Sequence, residues 1–233
     1  MATIINIETS GKVCSVALSV DGNVEHLCED GSGMNHSVSL APFVEECMDM
    51  VRRRGMKLDA VAVSIGPGSY TGLRIGLSMA KGLAFGCGVP LIGVSTLKIL
   101  AVKAMFRNVE WTGEELLIPM IDARRMEVFT AVYDFALNLR MEASPLIIDK
   151  DSYADFFREN RKLIFIGDGV GKAKGILASE NSVFLDGLNP IANDMVALSE
   201  KALREGDFID VAYSVPEYLK EYQTTVPKNK VLG

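Results

Sequence analysis

The stretch Ser64-Ile65-Gly66-Pro67-Gly68-Ser69-Tyr70-Thr71-Gly72-Leu73-Arg74-Ile75-Gly76 joins a short β-rich run to an apolar helix. Its core has an echo later in the chain, where Ile166-Gly167-Asp168-Gly169 repeats the pattern of Ile65-Gly66-Pro67-Gly68. Two further pairs share one offset: Ile7-Glu8 matches Ile121-Asp122, and Ala17-Leu18 matches Ala131-Val132. Short apolar runs match by chance, so the order of elements around them has to carry the inference.

That order is used twice. Residues 3–7 are β-rich, 13–20 alternate as a second strand, and Asp21-Gly22 signals a hairpin into 24–28. A polar loop over 29–35 leads to a helix over 39–54, with Leu40, Val44, Cys47 and Val51 on one stripe. Pro42 suits its first turn and Gly55 lies just past its end. Residues 59–65 read as a buried strand, 73–85 as a helix and 90–94 as a strand, and a further helix opens after Ser95. In the second half, 116–122, 126–133 and 139–148 read as strands, followed by a helix over 152–160 and a strand over 163–166. A helix over 172–179, a strand over 183–185 and a helix over 194–206 complete it. Each half is βββαβαβα, which predicts an α/β protein built by duplicating an RNase H-like unit, the actin and sugar-kinase architecture. The halves divide near 105–115 into 1–106 and 107–233, and the tail over 224–233 is expected to be mobile.

The bulk numbers agree with a globular protein. The chain has 233 residues, 48% of them hydrophobic, enough for one large domain or two small ones. A net charge of −6 argues against a broad grip on RNA, because phosphate contacts dominate such binding. Any contact with RNA is therefore expected to be local, weak or made through a partner. The apolar stretch over 72–92 is broken by Arg74, Lys81 and several glycines, so no membrane span is expected. Cys14, Cys28, Cys47 and Cys87 show no C-x-x-C spacing and read as reduced core residues of a cytosolic protein. The first seven residues lack the basic start and long apolar run of a signal peptide.

Two features carry candidate chemistry. A glycine-rich turn opening a helix offers free N–H groups, so Gly66, Gly68, Ser69 and Thr71 form a candidate phosphate loop. It matches neither the Walker pattern nor G-x-G-x-x-G, and a tight structural turn is the other reading. The helix that follows is apolar on nearly every side, and such a helix needs cover all round. Leu73, Gly76, Leu77, Met79, Ala80, Leu83 and Ala84 are the expected contacts with a second polypeptide, the small residues among them allowing close approach. The alternative is a helix sandwiched within the chain itself.

Along nearly its whole length the chain resembles the TsaB (YeaZ) family. The matching pieces are Ile7-Glu8-Thr9-Ser10 with Ser15-Val16-Ala17-Leu18, His36-Ser37 with Leu40 and Pro42, and the Gly66 to Gly76 loop. Ser95-Thr96-Leu97, Ile121-Asp122-Ala123-Arg124-Arg125 with Val128-Phe129, Gly167-Asp168-Gly169 and Pro216-Glu217-Tyr218-Leu219 continue the match. The resemblance implies an actin-like protein of the ASKHA superfamily that dimerises through first-half helices when isolated. It implies a paralogous partner, TsaD, which holds metal and transfers threonylcarbamoyl to the tRNA adenosine beside the anticodon. It also implies an ATPase, TsaE, and ATP or ADP near the subunit junction, with this chain as scaffold and no cofactor of its own. Two departures stand out: Glu8 replaces the usual Asp, and Tyr70 the usual Phe.

The residues themselves argue against an enzyme. The TsaD type holds metal through H-x-x-x-H on one helix, whereas this chain has two histidines in all, His26 in a predicted strand and His36 in a loop before a helix. No G-x-S-x-G elbow occurs and no base is placed beside Ser64, Ser69 or Thr71. Glu8 and Asp122 head equivalent strands, where they either organise Mg²⁺ across a cleft or cap nearby backbone N–H groups. Arg52-Arg53-Arg54, Arg124-Arg125 and Lys172 with Lys174 read as solvated faces. The alternatives are an enzyme of the M22 metallopeptidase kind, which needs a metal site, and an actin-like ATPase or kinase, which needs nucleotide between the halves.

Overall fold

A computed structural model describes residues 2–33, 35–107 and 110–220, so the tail over 224–233 lies outside the described residues. Strands β1 (Thr3–Glu8), β2 (Cys14–Val20) and β3 (Asn23–Asp30) form an antiparallel meander. Asp21 and Gly22 both take positive φ, 48° and 77°, the twist that a two-residue hairpin needs. Strands β4 (Ala60–Gly66) and β5 (Leu91–Ser95) add in parallel beyond β1, giving the order β3-β2-β1-β4-β5. The second sheet comprises β6 (Leu116–Asp122), β7 (Glu127–Asp134), β8 (Leu139–Ile147), β9 (Leu163–Gly167) and β10 (Ser182–Asp186). Its order, β8-β7-β6-β9-β10, and its strand directions repeat the first. This is the duplicated RNase H-like, actin-like fold.

Helices α1 (His36–Arg53) and α2 (Tyr70–Cys87) cover one face of the first sheet. The α1 stripe is the one read from the sequence, with Leu40, Val44, Cys47 and Val51 buried against Ile5, Ile7, Val16 and Leu18. Helix α3 (Thr96–Met105) lies between the two sheets. Its Ile99 meets Ile4 and Ile92 of the first, and Leu97, Leu100 and Ala104 meet Leu117, Ile164 and Ile166 of the second. Helix α6 (Val196–Glu205), preceded by a 3-10 turn at Ala192–Met195, crosses back to pack Leu198, Ala202 and Leu203 on the first sheet. Each half is thus closed partly by a helix from the other.

Several helix boundaries differ from the sequence reading, α2 beginning at Tyr70 rather than at 73. Helix α1 starts at His36, so Pro42 sits inside the helix rather than in its first turn. The Asn35 carbonyl accepts from the N–H groups of Val38 and Ser39 (both 2.8 Å), which begins the helix earlier than apolar periodicity alone suggests. Helix α4 shortens to Ala154–Arg158, with Tyr153 at φ 62° in front of it. The helix expected over 172–179 is a single turn, α5 (Val170–Ala173). Gly171 and Gly175 weaken it, and the chain leaves helical geometry to bury Leu177 against the second sheet.

Candidate functional site: the glycine loop and the outer face of α2

The β4–α2 loop is held by the chain's own backbone. Thr9 and Ser10, leaving β1, lie across the start of α2: the Ser69 N–H donates to the Ser10 carbonyl (2.7 Å), and the Thr9 hydroxyl donates to the Gly72 carbonyl (2.8 Å). Ser69 caps the helix, its hydroxyl oxygen accepting from the Gly72 N–H at 3.2 Å. The glycines are required by this crossing. A Cβ on Gly68 would stand 2.5 Å from the Ser10 carbonyl oxygen, and one on Gly72 would run into the Thr9 carbonyl oxygen. Gly66, at φ 123°, faces the Glu217 carbonyl, while the Glu217 N–H donates to Ile65 O at 2.7 Å. Its counterpart Gly167 takes φ 130° and presses on the Met120 carbonyl oxygen, so the sequence echo is a shared backbone device. The close approach the glycines permit is therefore to Thr9, Ser10 and Glu217, which accounts for Gly66, Gly68 and Gly72 as turn positions.

The two strand-end carboxylates act as caps. Glu8 is fully buried and its Oε1 accepts from the Ser10 N–H at 2.6 Å. Burial pushes its carboxyl up to about 7, against the lowering effect of the Ser10 and Ser64 hydrogen bonds. Its Oε2 has no partner among the described residues, consistent with a carboxyl that keeps its proton until near neutrality. Asp122 accepts from the Arg124 N–H (2.6 Å) and from Lys172 Nζ (2.8 Å). Partial burial raises its carboxyl, and the Lys172 and Arg124 bonds outweigh that and hold it below the usual range. Between the halves, Ser10, Gly11, Thr96, Asp168, Asn189 and Pro190 line a cavity of about 10 Å³. That is room for about one water. Burial also pushes the Cys14 and Cys28 thiols up to about 11 and Cys47 to about 12, leaving no thiolate nucleophile among them. Cys87, expected in the core, is exposed near the end of α2.

Helix α2 is one-faced, and its contact residues must be reassigned. Leu73, Gly76, Leu77, Ala80 and Ala84 are buried within the chain, so of the seven expected contacts only Met79 and Leu83 reach the surface. The helix that is enclosed all round is α3, with eight buried residues out of ten. Gly76 is small because a Cβ there would collide with Thr9 Oγ1. On the outer face Ile75, Met79 and Leu83 are half-buried beside Ser78, Gly82 and Gly86, and neither glycine has a neighbour within 4 Å of a built Cβ. Ser37, Arg74, Ile75, Ser78, Met79, Gly82 and Leu83 line an open groove of about 740 Å³, and Phe85 of the same helix stands 84% exposed. One rim is set by the late segment: Arg74 lies 4.1 Å over the Tyr70 ring and donates to the Tyr218 hydroxyl at 2.9 Å.

Comparison with known proteins places this geometry. A family model described as TsaD, tRNA N6-adenosine threonylcarbamoyltransferase, matches residues 31–228. The tRNA threonylcarbamoyladenosine biosynthesis protein TsaB of Escherichia coli is 31% identical over 93% of this chain and 94% of its own. The chain belongs to the TsaB family. The Bacillus subtilis TsaB is 28% identical over 94% of both chains, and the Pseudomonas aeruginosa structure called YeaZ superposes with a TM-score of 0.77. That structure is 27% identical and covers 94% of this chain and all of its own.

The motif pieces shared with TsaB meet in space. Glu8-Thr9-Ser10, the glycine loop and Pro216-Glu217-Tyr218 form one junction, and His36 ties α1 to it through Nε2 and the Gly11 carbonyl (3.1 Å). Sequence reasoning gave Thr9 no role, although it locks the junction. It also missed the nearly buried ion pair between Lys103 of α3 and Asp194 (2.8 Å), which pins the crossover turn, because neither residue stands in a motif. Two of the three basic clusters have partners in the chain: Arg52 and Arg53 meet Asp49 and Arg54 meets Glu25, and Lys172 meets Asp122. No helix among the described residues is long and apolar enough to cross a membrane.

Proposed function

We propose that this chain is a non-catalytic, scaffolding subunit of the machinery that forms threonylcarbamoyladenosine beside the tRNA anticodon, and that it docks on the TsaD paralogue through the outer face of α2. The observation that carries the proposal is the uncovered row Ile75, Met79 and Leu83 flanking the small residues Ser78 and Gly82. Small residues in the centre with apolar side chains at the rim let a partner helix approach closely, and burying the row removes apolar surface from water. The same face pairs two copies of the isolated chain. The filled seam between the halves and the capping roles of Glu8 and Asp122 support assigning the chemistry to the partner. Any ATP or ADP then sits at the subunit junction, TsaE supplies ATPase activity, and tRNA is reached through TsaD, in keeping with a net charge of −6. The setting is cytoplasmic.

Reconstituting threonylcarbamoyl transfer to tRNA from TsaD and TsaE with and without this chain tests the proposal. The chain alone should transfer nothing and hydrolyse no peptide, and its omission should abolish transfer. Met79→Glu with Leu83→Glu should stop co-purification with TsaD and transfer together while circular dichroism stays native. A double variant that still binds and activates TsaD overturns the docking face, and transfer by the chain alone overturns the scaffold role.

A further inference from the structure

Away from α2, the edge strand β3 and helix α1 bring together three side chains of different ligand chemistry. Strand alternation puts His26 and Cys28 on the same face of β3. Glu46, on α1 beside the buried stripe residue Cys47, reaches over them. His26 Nε2 is 2.8 Å from Glu46 Oε1, Cys28 Sγ is 3.2 Å from His26 Nε2, and Cys28 Sγ is 3.5 Å from Glu46 Oε2. One ligand atom from each lies within 4.8 Å of the other two.

We propose that His26, Cys28 and Glu46 form a binding site for a borderline divalent cation of the Zn²⁺ class. Tetrahedral Zn²⁺ with one nitrogen, one sulfur and one oxygen ligand sets N–O, N–S and S–O separations of about 3.3, 3.6 and 3.5 Å. The His26 Nε2–Glu46 Oε1 and Cys28 Sγ–His26 Nε2 separations of 2.8 and 3.2 Å each lie within about half an ångström of those values, and Cys28 Sγ meets the other Glu46 oxygen, Oε2, at 3.5 Å, so a turn of the carboxylate has to bring one oxygen to both. A mixed sulfur, nitrogen and oxygen set selects Zn²⁺ or Co²⁺ over Mg²⁺ and Ca²⁺, which take oxygen. The floor is Cys28, at 8% exposure, while the Glu46 side chain is 56% exposed, so the cation enters from solvent and a water completes the fourth position. Binding forms a Cys28 Sγ–metal bond and releases the thiol proton to solvent. The bound cation tethers the edge strand to α1, the helix whose Ser37 borders the α2 groove.

The full chain, prepared without a polyhistidine tag and stripped by chelator, is titrated with Co²⁺ and then with Zn²⁺. The expected result is one Co²⁺ per chain, a thiolate-to-cobalt charge-transfer band, and displacement of that band by Zn²⁺. Cys28→Ser should abolish the band, and the surface changes His26→Gln and Glu46→Gln should each weaken binding at least tenfold. Cys87→Ser, which removes the exposed thiol, should leave the band intact. Binding no tighter than millimolar overturns the site, as does a band that survives Glu46→Gln unchanged or disappears with Cys87→Ser. The α2 docking face is untouched by either outcome.

Discussion

Replacing Gly72 by alanine sets two effects of opposite sign against each other. Alanine is the better helix former by about 1 kcal/mol, so at an open position of α2 the change should stabilise. Gly82 is such a position, with nothing within 4 Å of a built Cβ, and Gly82→Ala should gain roughly 0.5–1 kcal/mol. At Gly72 the new methyl would run into the Thr9 carbonyl oxygen, which belongs to backbone and cannot rotate away. Thr9 and Ser10 would have to withdraw, losing the Thr9 hydroxyl bond to Gly72 O (2.8 Å) and the Ser69 N–H bond to Ser10 O (2.7 Å). Two buried hydrogen bonds at about 1 kcal/mol each, with overpacking strain of about 1–3 kcal/mol, exceed the propensity gain. The net expectation is a loss of about 2–4 kcal/mol, or a melting temperature lower by roughly 5–15 °C. Gly76→Ala should fall between the two, because its obstacle is the Thr9 side-chain oxygen. Urea unfolding followed by circular dichroism ranks the three variants. A Gly72→Ala protein as stable as the parent, yet impaired in nucleotide binding, would refute the turn assignment and restore the phosphate loop.

Three other outcomes are expected. Glu8 has a folded-state carboxyl near 7 against an ordinary 4.5, so the folded chain keeps a proton that the unfolded chain releases. Its contribution is present below pH 4.5 and is lost as pH rises through 7, on the order of 3 kcal/mol; Glu8→Gln should flatten that part of the urea-midpoint profile between pH 5 and 8. Lys103→Met leaves Asp194 nearly buried without its cation, so it should destabilise by about 3–5 kcal/mol in urea unfolding, and adding Asp194→Asn should recover part of the loss. Lys81 Nζ donates to the carbonyls of Ala212 (3.1 Å) and Ser214 (2.6 Å), so Lys81→Met should speed proteolytic cleavage in that segment several-fold with little change in melting temperature.

The duplicated order of strands was legible because hydrophobic alternation and turn residues act locally. Ala17-Leu18 and Ala131-Val132 sit on equivalent second strands, and the paired glycines Gly66 and Gly167 share a backbone conformation. The site was legible only in part. Apolar composition marked α2 as a helix with a burial problem, but composition does not say which side the sheet occupies. Ala80 and Ala84 looked like interface residues and are core, while Gly82 and Ser78 hold the centre of the outer face. Helix α3 shows the same limit from the other side, since its enclosure depends on two sheets meeting across it.

The sequence by itself determined the element types, the repeat and the family resemblance, because each rests on residues close in the chain or on patterns of fixed period. Only the tertiary structure decided what the glycines make room for, which side of α2 stays open, that the seam between the halves is filled, and that Glu46 joins His26 and Cys28. Those outcomes come from chain segments that approach after folding: Thr9 on Gly72, Glu217 on Gly66, Pro190 on Gly11 and Lys103 on Asp194. Their separation along the chain leaves no local signal, and the packing of two sheets around α3 fixes their distances.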